Sequence, residues 1–164
     1  MTQHMPRTFT TSFAARLDGL SQVTVSEAVQ GARLKPGHAY LAPGDQHLKI
    51  RKVGGDYYCN LEQSEPVSGH CPSVDVLFDS VAAAAGAKAV GVILTGMGKD
   101  GAKGMLAMRN AGAYTVGQNQ ASCVVYGMPR AAMEAGAVQK ELALSEIPRH
   151  ILHYCEQEQK SAHA

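Results

Sequence analysis

The stretch AVGVILTGMGKDGAKGMLAM, residues 89–108, constrains the fold more than any other part of this 164-residue chain. Its unbroken apolar run, AVGVIL, suits a strand covered on both faces, as in a parallel sheet. Glycines end the run, and a helical pattern follows from about Gly101 to Asn110, stopped near Gly112. Short apolar runs alternate with helical patterns elsewhere too. That alternation predicts a doubly wound, mainly parallel α/β fold of the Rossmann-like type.

The remaining elements read as follows. Phe9, Phe13 and Leu17 recur at helical spacing before Gly19, which predicts a helix over 8–18. QVTVSEAV and HAYLAPG read as strands. LKIRKVGGDYYCNLEQ has two alternating arms around Gly54-Gly55, the mark of an inserted β-hairpin lying partly in solvent. Ser73 is a candidate cap for a helix carrying Val74, Leu77, Phe78 and Val81, ended by Gly86, and Asp75 in its first turn suits the helix dipole. AYTVGQN and VQKELAL read as further strands. Pro129 opens a helix over PRAAMEAG, and Ser145 is a candidate cap for a last helix over SEIPRHILHYCEQEQ. QKSAHA reads as a frayed, solvated end.

Bulk properties exclude several functions. The formal charge is +1, with acidic and basic residues scattered, so neither a nucleic-acid stripe nor a charged interaction arm is present. No apolar run is long enough for a membrane span, and MTQHMPRTFT lacks a signal core. Cys59, Cys71, Cys123 and Cys155 are widely spaced, as expected of reduced thiols in a cytoplasmic protein.

The glycine loop poses the functional question. Gly96-Met97-Gly98-Lys99-Asp100-Gly101 satisfies G-x-G-x-x-G, the pattern of dinucleotide-binding loops. However, the next strand ends in Gly117-Gln118-Asn119-Gln120, amides where a ribose-binding acid belongs. Asp100 would also repel a pyrophosphate at the helix N-terminus, and Lys99 need not face it. Two stronger readings compete with dinucleotide binding. Asp100 is a plain N-cap of its own helix, or it is a carboxylate held ionised at the carboxyl edge of the sheet to orient a histidine.

Among seven histidines, His150 and His153 with Glu156 could form a metal face on the last helix. His38, His47, His70 and the adjacent Cys71 lack ligand spacing, and His163 is in the tail. His4, in TQHMP, precedes a helix at a loop position facing a sheet edge. No G-x-S-x-G elbow occurs, so Ser122 and Cys123 in NQASCVVYGMP are the local nucleophile candidates, beside a plain structural role for each.

Five blocks extend this reading. QHMPRTFTTSFAARLD, HAYLAPGDQHL, PSVDVLFDSVA, VILTGMGKDGAKGMLAM and QNQASCVVYGMPRAA occur in the order found in bacterial chemotaxis protein-glutamate methylesterases, the CheB family, which the chain resembles from Gln3 to about Leu152. The resemblance implies a catalytic domain over residues 1–155, with 156–164 as a solvated tail. It implies a Ser-His-Asp triad in which His4 is the histidine, Asp100 the aspartate, and the Met97 N–H an oxyanion donor. No cofactor and no metal are implied. The substrates would be γ-methyl esters and certain glutamines on the cytoplasmic helices of chemoreceptors. In the family the serine lies upstream of this histidine, in a glycine-rich turn after the first strand, so the expectation is a chain lacking the nucleophile, inactive alone, and prone to self-associate through an exposed sheet edge. The same reading expects a chain without the family's usual N-terminal receiver domain. A receptor-binding module without hydrolysis and a nucleotide-binding protein are the alternative expectations.

Overall fold

The computed structural model describes residues 1–161. Helix α1 (Arg7–Asp18) is followed by strands β1 (Thr24–Glu27) and β2 (His38–Leu41), then by the hairpin β3 (His47–Val53) and β4 (Asp56–Glu62). Helix α2 (Val74–Ala85) leads to β5 (Val90–Ile93), α3 (Ala102–Asn110), β6 (Tyr114–Gln118), α4 (Met128–Glu134), β7 (Lys140–Leu142) and α5 (Ile147–Ser161). No helix is long and apolar enough to cross a membrane among the described residues.

The parallel pairing falls in two parts. β1 runs beside β2, with Thr24 opposite His38 and Glu27 opposite Leu41. β5, β6 and β7 form the other part, Val90 opposite Tyr114 and Val116 opposite Lys140. On the side of β2 away from β1, the Ala42 N–H donates to the Met1 carbonyl and the Met1 amine to that of Tyr40. The hairpin is antiparallel, with His47 opposite Glu62 and Val53 opposite Asp56, and its β3 arm passes from buried to exposed toward Gly54. The result is an α/β, Rossmann-like fold with an inserted hairpin, as the alternating pattern predicts.

Helix α2 joins the parts. Val74 and Phe78 enter a core with Ile93, Met105, Met108 and Val138, while Leu77 on the neighbouring face enters a second core with Leu48 and Cys59 beneath the hairpin. Full burial of such side chains is worth roughly 1.5–3 kcal/mol each, so α2 is strongly anchored on both sides. A third core packs Ala14 of α1 against Val25 and Leu41.

Three local expectations differ. Phe9 is exposed, and α1 turns Thr10 and Ala14 inward with Phe13 and Leu17 beside them, because its stripe faces a narrow two-strand surface. Helix α5 starts at Ile147, with Ser145 in the preceding turn; the Glu146 carboxylate accepts the Ala143 N–H there instead. Helix α5 also runs to Ser161, through part of the expected frayed end; residues 162–164, with His163, lie outside the described residues.

Candidate active site

The site is assembled around the first turn of α2. Ser73 caps this helix, its side chain accepting from the Val76 N–H, as expected. The amides of Val74 and Asp75 lack intrahelical partners, as at any helix start. They donate to Asp100: Val74 N to Oδ2 at 2.7 Å and Asp75 N to Oδ1 at 3.0 Å. The Ser73 hydroxyl adds a 2.7 Å bond to Oδ1.

Asp100 therefore does not cap its own helix. Gly101, in the left-handed conformation at φ 92°, turns the chain between Asp100 and α3 and aims the carboxylate across at α2. Only glycine suits this corner, because a Cβ there would lie 2.6 Å from Val74 Cγ1. The amide of Gly104 in α3 is met in return by the Asp75 carboxylate at 2.8 Å. The two helices thus exchange acids, each N-terminal turn held by a carboxylate from the other's chain segment.

His4 completes the shell of Asp100, its Nε2 lying 2.7 Å from Oδ2 across 96 residues of sequence. Asp100 is 2% exposed. Burial pushes its carboxyl up, but the donors from His4, Val74, Asp75 and Ser73 outweigh that and hold it at about 2. An ionised carboxylate only accepts, so the neutral His4 ring carries its proton on Nε2. Nδ1 has no hydrogen-bond partner among the described residues and is the nitrogen free to exchange a proton.

The chain before α1 holds His4 in place. Pro6 caps α1, and the buried Thr10 hydroxyl donates to Glu27 on β1 while accepting the Gly44 N–H. Gly44 lies so close to the Pro6–Arg7 backbone that no side chain fits there. His4 lines a cleft of about 290 Å³ with Asp45, His70 and Cys71 among others. That volume suits a side chain rather than a dinucleotide. Both helix N-termini at this edge already hold carboxylates, which further argues against a pyrophosphate.

Beside Asp100, Thr95 and Gly96 are braced by the end of β6 and the segment after it. Gly96 N donates to the Val125 carbonyl, Met128 N to the Gly96 carbonyl, and Thr95 N to Gln118 Oε1. Gly127 permits this approach, since a Cβ would sit 2.6 Å from the Gly96 oxygen. The Met97 N–H has no acceptor among the described residues, and its side chain is exposed.

The other candidates are occupied. Ser122 Oγ bonds Asn119 Oδ1 at 2.8 Å and accepts the Leu144 N–H at 3.0 Å. Cys123 contacts the Gln118 carbonyl. His150 bonds the Tyr114 hydroxyl and His153 bonds Gln157, so the two point to different partners. No group of three His, Cys, Asp or Glu gathers as a metal site among the described residues. His47 is structural: its Nδ1 accepts the Ser73 N–H and Nε2 meets the Glu65 carbonyl. All four cysteines are free.

Sequence reasoning missed His70, whose ring lies against that of His4, and the role of Asp75 as a tie between helices. The Ser73-Val74-Asp75 helix start was legible, but nothing local says whose carboxylate fills it.

Known proteins share this arrangement of elements. The family model for CheB methylesterase matches residues 1–151. A protein-glutamate methylesterase/protein-glutamine glutaminase of Ralstonia nicotianae is 61% identical over 150 residues, covering 92% of this chain and 39% of the relative. One from Salmonella typhimurium is 56% identical over 152 residues, covering 93% and 44%. The chain thus spans about two-fifths of the length of the curated relatives it matches. The crystal structure of the Thermotoga maritima CheB methylesterase catalytic domain is 39% identical, with a TM-score of 0.90, covering 93% of this chain and 81% of that one. Together with the matched blocks, these likenesses show that the chain belongs to the CheB methylesterase family.

Proposed function

We propose that this chain supplies the acid–base half of a Ser-His-Asp ester hydrolase acting on glutamate γ-methyl esters, and on certain glutamines, of chemoreceptor cytoplasmic helices. The 2.7 Å bond between His4 and an ionised, buried Asp100 carries the reading. In this scheme a serine hydroxyl attacks the ester carbonyl carbon while His4 Nδ1 takes its proton. Asp100 stabilises the imidazolium, and the Met97 N–H faces the developing oxyanion. His4 then returns the proton to the departing methoxide as methanol, or to the amine as ammonia. Water repeats the cycle on the acyl-serine and leaves a carboxylate.

The serine is proposed to come from a segment outside this sequence. No described serine or cysteine hydrogen-bonds His4, and Ser122 is engaged in its own loop. Cys71 lines the cleft, but burial, aided by the Asp45 charge, pushes its thiol up, away from the reactive thiolate. The outer edge of β5 pairs with no strand among the described residues, which suits either a further parallel strand or self-association of the chain. We place the protein in the cytoplasm, with residues 1–155 as the catalytic unit.

Methanol release from methylated receptor tests this. The 164-residue chain is expected to release none, while a protein extended upstream through a serine-bearing turn does. Release by the chain alone that disappears in Ser122→Ala would overturn the assignment. Binding of methylated receptor without hydrolysis by the extended protein would favour a docking module.

A further inference from the structure

We propose that His70 is a positioning residue that fixes the plane of the His4 imidazole. The inference rests on His4 as the acid–base group. The two rings lie face to face, their centroids 3.7 Å apart and their planes 4° from parallel. The bond from Nε2 to Asp100 and the covalent bond at Cγ hold the His4 ring at two opposite points and leave it a rocking motion about the line between them. That rocking would swing Nδ1 away from a reacting hydroxyl, and a misplacement of about 1 Å is enough to slow catalysis severely. A flat ring packed on the face blocks that motion.

The platform is built to stay still. Val67 and His70 exchange two backbone hydrogen bonds, each 3.0 Å, around Ser68 and Gly69. Both central residues have positive φ, 54° and 80°, the signature of a tight type I′ turn. Ser68 tolerates that conformation while its hydroxyl donates to Asp75 Oδ2 at 3.3 Å. The turn is thereby tied to the first turn of α2, which also holds Asp100. The carboxylate at one corner of His4 and the ring on its face are mounted on the same helix start. His70 and His4 are 66 positions apart, and neither ring's role can be read from spacing.

Proton NMR of the 164-residue chain tests the inference without requiring turnover. The His4 Nε2 proton, shared with a carboxylate, resonates downfield of the amide region and is assigned by its loss in His4→Gln. The signal is expected to persist in the unsubstituted chain and in His70→Phe, which keeps a flat face. It is expected to be lost to solvent exchange in His70→Gln, which keeps polarity without a ring, while circular dichroism shows an unchanged fold. A sharp signal in His70→Gln would overturn the proposal, as would loss in His70→Phe to the same extent as in His70→Gln. Absence of the signal from the unsubstituted chain would instead sink the His4–Asp100 reading beneath it, so the two failures are distinguishable.

Discussion

Two loops leave the carboxyl edge of the same three-stranded sheet, one after β5 and one after β6. Each carries polar groups that sequence reasoning marks as candidates, yet they differ in where those groups spend their hydrogen bonds. Ser122 bonds Asn119, in its own loop, and accepts one amide, that of Leu144, from the loop after β7. Asp100 is satisfied by nothing local: its four donors come from α2 and from His4. A polar side chain bonded to its own and an adjoining loop shapes those loops. One bonded to distant elements fixes those elements relative to each other, and if one of them ends in an open cleft, it becomes chemical.

The largest expected effect is on turnover. In a serine-bearing form of the protein, Asp100→Asn removes the charge that sets the His4 tautomer and should slow methyl-ester hydrolysis on the order of 10⁴-fold. Ser122→Ala should leave turnover within about twofold, because its bonds end in structure. Near-equal rates for the two variants would erase the distinction between the loops.

Stability should separate them as well. Asp100→Ala leaves the Val74 and Asp75 amides and the Ser73 hydroxyl buried without acceptors, a loss of about 3–5 kcal/mol by urea unfolding. Acid gives a smaller effect with a definite sign. The Asp100 carboxyl ordinarily titrates at 3.8 and is held at about 2 in the folded chain. Its contribution is complete above the ordinary value and is lost as pH falls toward the lower one, roughly 2–3 kcal/mol in all. Asp100→Asn should flatten the stability–pH curve in that window, and Ser122→Ala should leave its shape unchanged. The smallest effect is the stability of Ser122→Ala itself, about 1 kcal/mol for its lost loop bonds, measured by the same unfolding.

Much of the fold was legible because it rests on local patterns. The hairpin followed from alternation around Gly54-Gly55, the start of α2 from Ser73, and β5 from its apolar run. Expectations failed where a long-range contact decided. Asp100 has good chemistry for capping α3, but Gly101 turns it toward α2, and only the packing of α2 against α3 makes that the better partner. Ser145 has good chemistry for capping α5, yet the helix starts two residues later. His70 could not be singled out at all, since a stacked ring has no sequence spacing. The pairing of His4 with Asp100 came from the family resemblance, as no local pattern joins residues so far apart.

The central claim is that His4 and Asp100 act as one unit, and a double-mutant cycle tests it most directly. In the serine-bearing protein, kcat would be measured for His4→Ala, Asp100→Asn and the double variant. If the pair is a unit, the double variant is about as slow as the worse single one. Losses that simply multiply would mean that the two residues contribute independently, and would contradict the account.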